Sequence, residues 1–377
     1  MGKQNVYVSH LQFADDTLIF SEAEDHYIIM IQQILIGFQA LSGLAVNYKK
    51  SGLIVIGKEA SWAQGMANVI GCLLVELPVR YLGIPLGANM RKAQSWQCII
   101  ERVRKKLDSW KSSCLSRAGR VVLIKAVLNS LPLYYMSLFR MPKKVASEIN
   151  RLQRRFLWSG SKEGKFNPLV RWDTVQASKS RGGLGVGDLT LKNESLLFKW
   201  WWRYANEETA LWRTVVQSIH NEDQAALPSW VTSRGTGPWK DIKKLVLKQQ
   251  PSSNMFTKHL KMKLGDGSKI RFWEDPWLPT GTLKDTFPLL YRISNQQFEL
   301  IMRMGWFEGH LWRWTLAWKR ELRREEVQQA DDLIALISQN PPSVIKRMEY
   351  YGKMTVDIPQ KNYRTWYSSL KQVKWMP

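Results

Sequence analysis

The sequence predicts an α+β chain built from several parts, and three observations carry that reading. The first ninety residues hold short apolar runs rich in Val, Ile, Phe and Tyr, broken by turn residues and by one longer helical stretch. Residues 91–160 show apolar positions three and four apart, with basic residues between them. From Trp158 onward the chain carries sixteen of its 19 tryptophans, a shift in composition that marks a further region. A length of 377 residues predicts two or more domains, and an apolar content of 45% supplies real cores.

Near the start, Leu11-Gln12-Phe13-Ala14-Asp15-Asp16-Thr17-Leu18-Ile19-Phe20 sets two adjacent carboxylates between two strand-forming runs. A β-hairpin with the Asp pair at its turn is predicted. Adjacent acids on a rigid turn suit a hard cation such as Mg²⁺, and two-metal phosphoryl transfer uses such a clamp. An Asp-Asp pair is also ordinary turn chemistry. Ser21-Glu22-Ala23-Glu24 has the form of a capping box. A helix is predicted over residues 25–41, with Ile28, Ile31, Leu35 and Phe38 as its core face and Ser42-Gly43 as its stop. Residues 47–51 carry Lys49 and Lys50 ahead of another apolar run, and residues 81–87 read as a short strand and turn.

Between residues 91 and 110, Trp96, Ile99, Val103, Leu107 and Trp110 form one stripe, with Arg102, Arg104, Lys105 and Lys106 mostly off it. A second helix is predicted from about Ser116, carrying Arg117, Arg120 and Lys125, with a break at Leu131-Pro132. Pro142 opens a third, in which Val145, Ile149, Leu152 and Phe156 turn inward and Arg151, Arg154 and Arg155 lie elsewhere. Such a basic bundle suits a phosphate backbone, because each cation that meets a phosphate releases counterions. The formal charge, 55 − 32 = +23, points to a polyanionic partner.

Residues 159–168 read as a linker. Arg181-Gly182-Gly183-Leu184-Gly185-Val186-Gly187-Asp188 lacks a Gly-Lys-Ser/Thr ending and reads as a loop, not a nucleotide cradle. One helix is predicted over residues 196–216, with Trp200, Trp201 and Trp202 more in keeping with a core than with base stacking. Residues 161–293 form a Trp-rich region and residues 294–377 a helical tail, with a charged helix at about 319–337.

Cys72, Cys98 and Cys114 are far apart and form no Cys-x-x-Cys pair, so free thiols in a reducing compartment and no zinc site are expected. The first residues lack a signal-peptide pattern, and the most apolar segment, residues 27–46, is broken by Gln32, Gln33 and Gln39. An intracellular protein, nuclear or cytoplasmic, neither secreted nor membrane-spanning, is expected.

Taken in order, Phe-Ala-Asp-Asp, the helix, Ser42-Gly43-Leu44, residues 47–51 (Asn-Tyr-Lys-Lys-Ser) and residues 81–87 (Tyr-Leu-Gly-Ile-Pro-Leu-Gly) resemble the C-terminal part of the reverse transcriptase of plant LINE-type (non-LTR) retrotransposons. The likeness continues more loosely to about residue 293. It implies a partial polymerase palm at 1–90 and a thumb at 91–160 gripping template and primer. It assigns Asp15 and Asp16 to catalytic metal (Mg²⁺ or Mn²⁺), Lys50 to the departing pyrophosphate, and Tyr81, Leu82 and Gly83 to a primer grip. An RNA template with a DNA primer, or an RNA–DNA duplex, would be the partner. The family's further catalytic Asp lies upstream, and none of the fourteen residues before Asp15 is acidic. A truncated copy without polymerase activity of its own is therefore expected. The alternatives are a non-catalytic nucleic-acid-binding protein and a Trp-rich interaction module.

Overall fold

The computed structural model describes residues 2–3, 5–110, 115–159, 167–230, 237–247, 260–343 and 355–356. They divide into two compact units, one of residues 5–96 and one that begins at Gln97. The chain is mixed α and β, as its patterning predicts, with helices dominating the second unit.

In the first unit, β1 (His10–Phe13) and β2 (Asp16–Ile19) pair antiparallel with Phe13 opposite Asp16, which leaves Ala14 and Asp15 as a two-residue turn. Ala14 takes a φ of 52°, the positive value that tight hairpin turns demand. α1 (Asp25–Ser42) starts with Glu24 at its N-cap and no side-chain cap bond, so the capping box expected from Ser21 does not form. Asp25 instead accepts a 2.7 Å hydrogen bond from the Trp62 indole, and α1 ends on Gly43 at φ 71°. β3 (Gly52–Leu53) lies parallel to β4 (Leu73–Leu74), with α2 (Ala60–Ile70) as the crossover. β5 (Val79–Tyr81) and β6 (Ile84–Leu86) form a hairpin whose turn is Leu82-Gly83, at φ 47° and 80°.

These strands do not join into the palm-like sheet expected from the sequence; among the described residues every sheet has two strands. Strands of two to four residues offer few ladder bonds and little apolar area with which to recruit a neighbour. The expected core face of α1 is only partly covered. Ile28 is buried against the rest of the unit, Ile31 and Leu35 are half-buried, and Phe38 is exposed.

The second unit opens with α3 (Gln97–Asp108). α4 (Arg117–Leu123) is capped by the Ser116 hydroxyl, which accepts from the Gly119 N–H at 3.1 Å, and continues through a wider turn over Ile124–Leu128. α5 (Leu133–Met136) and α6 (Lys143–Ser159) follow. α3 and α4 both pack on α6, burying Ile99, Val103, Ile124, Leu128, Ile149 and Phe156. After α7 (Trp172–Gln176), the glycine-rich run ends as the cap of α8 (Leu189–Asn206): the Asp188 carboxylate accepts from the Thr190 and Leu191 N–H groups at 2.6 and 3.3 Å.

α8 packs on α5 and α6, so the bundle extends past residue 160. Buried amides join the two parts. Gln153 donates to Asn129 at 2.9 Å, and Asn129 donates to the Val186 carbonyl at 2.7 Å. Asn193 accepts from the Met141 N–H at 2.8 Å and donates to the Met136 and Phe139 carbonyls at 2.7 and 2.9 Å. The helix predicted over 196–216 is two: α9 (Leu211–His220) begins after a break at which Arg203 grips Glu207 at 2.7 Å.

Further on come α10 (Pro238–Leu247), β7 (Leu260–Lys261), α11 (Leu283–Thr286), α12 (Pro288–Ile293), β8 (Gly305–Glu308), β9 (Leu311–Trp314), α13 (Arg324–Ser338) and β10 (Thr355–Val356), the last paired with β7. Trp201, Trp239, Trp273 and Trp277 are buried in one large core that runs from Leu197 to Ile337, while Trp200 and Trp202 pack on its edge. The tail expected to be helical therefore contains a hairpin. Its inward and outward residues alternate, as a strand requires, and Gly305 faces Trp314 where an added Cβ would lie 2.1 Å from the Arg313 carbonyl oxygen.

Two buried charge clusters brace this core. Lys243 and Glu222 pair at 2.6 Å, with Lys243 also reaching the Ser229 hydroxyl at 2.8 Å. Arg271 donates to Asp223, to Asp275 and to the Leu227 carbonyl.

Candidate nucleic-acid interface

Asp15 and Asp16 stand on an exposed two-residue turn and its first strand position. Gln12 donates to the Ala14 carbonyl beside them at 3.4 Å. Among the described residues no group of three or more His, Cys, Asp or Glu is placed to hold a metal ion. A two-metal clamp needs further carboxylates around the pair. The described residues present do not fit Mg²⁺ or Mn²⁺ chemistry at this turn.

Lys50 is exposed, and its backbone N–H is held by Asn47 through both the main-chain and the side-chain oxygen, at 3.0 and 3.2 Å. Asn47 thus serves the turn that carries the two lysines, and the Ser51 hydroxyl closes it by donating to the Asn47 carbonyl at 3.0 Å. Tyr81, Leu82 and Gly83 form the end of β5 and its tight turn. The pyrophosphate and primer-grip roles of these residues have no independent ground in this geometry.

The ten cations singled out on the second unit separate into three groups. Arg102, Lys105 and Lys106 on α3 and Arg117 on α4 are exposed and make no ion pair with any described residue. Arg104 and Arg151 are both held by Glu148: Arg104 reaches it at 2.7 Å from α3, and Arg151 at 2.9 Å from within α6, the helix that carries Glu148 itself. The hydrogen bond from Arg151, with a second from Arg104, holds the Glu148 carboxyl down at about 2. Arg120, Lys125, Arg154 and Arg155 are half-buried. Of these, Arg120 donates to the Leu157 carbonyl at 3.3 Å and Arg154 to that of Asn150 at 3.4 Å.

The sequence reasoning missed three residues of this surface. Lys143 and Lys144 are exposed in the first turn of α6, which contains no acidic residue. Positive charge there opposes the helix dipole, so the pair adds to the free basic surface at some cost to the helix. The readable signal was the Pro-Lys-Lys start of the helix. Glu148 was the third; its i,i+3 spacing to Arg151 is visible in the sequence, but its bond to Arg104 on another helix is not. The geometry supplies a set of solvated cations on packed helices, suited to touching phosphates, and one acid that withdraws two arginines from that set.

No known family model matches the chain. Over 182 residues, 48% of its length, the chain is 34% identical to a protein of Arabidopsis thaliana named "Putative ribonuclease H protein", and the match covers 28% of that protein. Over 150 residues, 40% of its length, it is 26% identical to an "Uncharacterized mitochondrial protein" of Arabidopsis thaliana, 93% of which is covered. The chain thus spans less than a third of the ribonuclease H relative. No helix among the described residues is long and apolar enough to cross a membrane. The matches correct the resemblance drawn from the motifs: the relatives carry a ribonuclease H name and an uncharacterized one, and neither is named a reverse transcriptase.

Proposed function

We propose that the chain is a non-catalytic nucleic-acid-binding part of a ribonuclease H-type protein, whose second unit holds a phosphate backbone on the cations of α3, α4 and α6. The observation that carries this reading is the trio Arg102, Lys105 and Lys106, exposed on one packed helix with no carboxylate partner among the described residues. A solvated surface charge in a chain of net +23 repels its neighbours unless a polyanion meets it. The relative's name makes an RNA–DNA hybrid the first probe to use. Asp15 and Asp16 take no part in this function.

The direct test is a mobility-shift titration of the full chain on a short RNA–DNA hybrid at stepped salt. Binding that weakens steeply as salt rises supports the reading, because phosphate contacts release counterions. No retardation at low salt, or retardation indifferent to salt, contradicts it.

A further inference from the structure

The glycine-rich run between α7 and α8 is braced by its own backbone. The Gly182, Gly183, Gly185 and Gly187 N–H groups donate to the Lys179, Ser178, Ala177 and Gln176 carbonyls at 3.1, 3.1, 2.7 and 3.0 Å. These amides are spent, so a ligand here is held by side chains. Asn129, one turn after Lys125, pins the run by donating to the Val186 carbonyl at 2.7 Å. Two lysines converge on Gly185, whose φ is 66°. A Cβ added there would lie 3.5 Å from the Lys125 Nζ and 3.8 Å from the Lys179 Cγ. Lys125 comes from the wider turn that continues α4, and Lys179 from a short turn, Lys179–Arg181. Neither lysine makes an ion pair with a described residue. Arg181 is exposed on the same short turn, its Nε donating to the Ser178 hydroxyl at 3.3 Å. The two acids of residues 171–188 are engaged elsewhere: Asp173 lies 3.6 Å from Arg171, and Asp188 caps α8. Residues 117–130 contain no acid. Holding like charges together on a fixed scaffold costs free energy that an anion offsets.

We infer that Lys125 and Lys179, with Arg181 beside them, hold one phosphate of a nucleic-acid backbone over Gly185, a contact separate from those of α3. The inference rests on the nucleic-acid-binding reading above and adds to it a place that the sequence marks only as a loop. Ammonium and guanidinium groups match the charge and the acceptor oxygens of a phosphate. Lys179 and Arg181 are exposed, and the loop amides that would enclose a small free anion are already bonded. An open site of this kind suits a polymer whose other phosphates are held elsewhere on the same chain. Gly185 matters by having no side chain, which leaves the Lys125 ammonium its place against the loop.

The test is a salt-stepped titration of the full chain on an RNA–DNA hybrid. It compares wild type, the double variant Lys125→Gln with Lys179→Gln, and a variant with Arg102, Lys105 and Lys106 changed to Ala. The double variant is expected to lower the slope of log affinity against log salt by roughly 0.7–0.9, one phosphate contact, with far-UV circular dichroism unchanged. Combined with the α3 changes, its loss should add to theirs. Should the Lys125 change disturb the braced turn, Lys179→Gln with Arg181→Gln, both at exposed positions, is expected to lower the slope by at least half as much. An unchanged slope in a folded variant, while the α3 variant loses its share, overturns this inference alone. No binding by the wild type overturns the nucleic-acid reading and this inference with it. Saturable binding of inorganic phosphate that the double variant loses, with hybrid binding kept, assigns the site to a free anion and also overturns the inference.

Discussion

Glu148 on α6 reaches Arg104 on α3 at 2.7 Å, and the same carboxylate takes Arg151 at 2.9 Å. One acid thereby links two helices and removes two of the bundle's cations from the surface available to a polyanion. Glu148→Gln is expected to release both arginines. Hybrid binding at low salt should tighten by roughly two- to fivefold, the scale of an exposed ion pair. Weaker binding by this variant, with its folding intact, would mean that Glu148 organises the surface and does not mask it.

The same pair has a pH signature. The Glu148 carboxyl lies at about 2 in the folded chain, below its ordinary value of 4.5. A depressed carboxylate stabilises the fold above its unfolded pKa, and that stabilisation fades as pH falls toward the folded one. The difference in melting temperature between wild type and Glu148→Gln should be constant from neutral pH down to about 5 and shrink between about 4 and 2. Its size should be small, because both arginines are half-exposed and water screens the pair.

Arg271→Ala is expected to destabilise the second unit by about 3–5 kcal/mol, the cost of leaving a buried charge without its partner. The stranded group is Asp275, which is fully buried and receives the Trp230 indole at 2.7 Å and the Arg271 backbone N–H at the same distance. Burial already pushes the Asp275 carboxyl up, against the pull of Arg271. The penalty should therefore be largest at neutral pH and lessen in acid, where Asp275 protonates in the variant. Chemical denaturation at two pH values reads this directly.

Gly305→Ala should disrupt the β8–β9 hairpin. An added Cβ would lie 2.1 Å from the Arg313 carbonyl oxygen, a backbone atom that cannot step aside. A loss of about 1–3 kcal/mol is expected in the same denaturation assay. By contrast, Asp15→Ala and Asp16→Ala remove exposed side chains from a free turn, and stability should stay within about 0.5 kcal/mol. Hybrid binding by either variant should be unchanged or slightly tighter, since each removes a negative charge.

Local patterns were legible where local physics decides them. Two strand-forming runs around Ala14-Asp15 formed a hairpin, the Leu82-Gly83 turn was readable from its residues, and Ile99, Val103, Ile149 and Phe156 kept the inward places that their spacing predicted. Long-range partners were hidden. Nothing beside Asn193 in the sequence marks its role, yet its amide satisfies three backbone groups more than fifty residues away. Of the two acids that hold the buried Arg271, one sits four residues off and the other forty-eight. The β8–β9 hairpin was missed because Trp306, Trp312 and Trp314 were counted as composition and not read for their alternation. At the site, the basic character of α3 was plain in the sequence, whereas which cations stay unpaired depended on where α6 placed Glu148.

The central claim is that Arg102, Lys105 and Lys106 meet phosphates. Its most direct test is the salt dependence of full-chain binding to an RNA–DNA hybrid, wild type against the triple alanine variant. Each lost phosphate contact lowers the slope of log affinity against log salt by roughly 0.7–0.9, so the account predicts a slope shallower by about 2–3 with far-UV circular dichroism unchanged. An identical slope in the two proteins would contradict it.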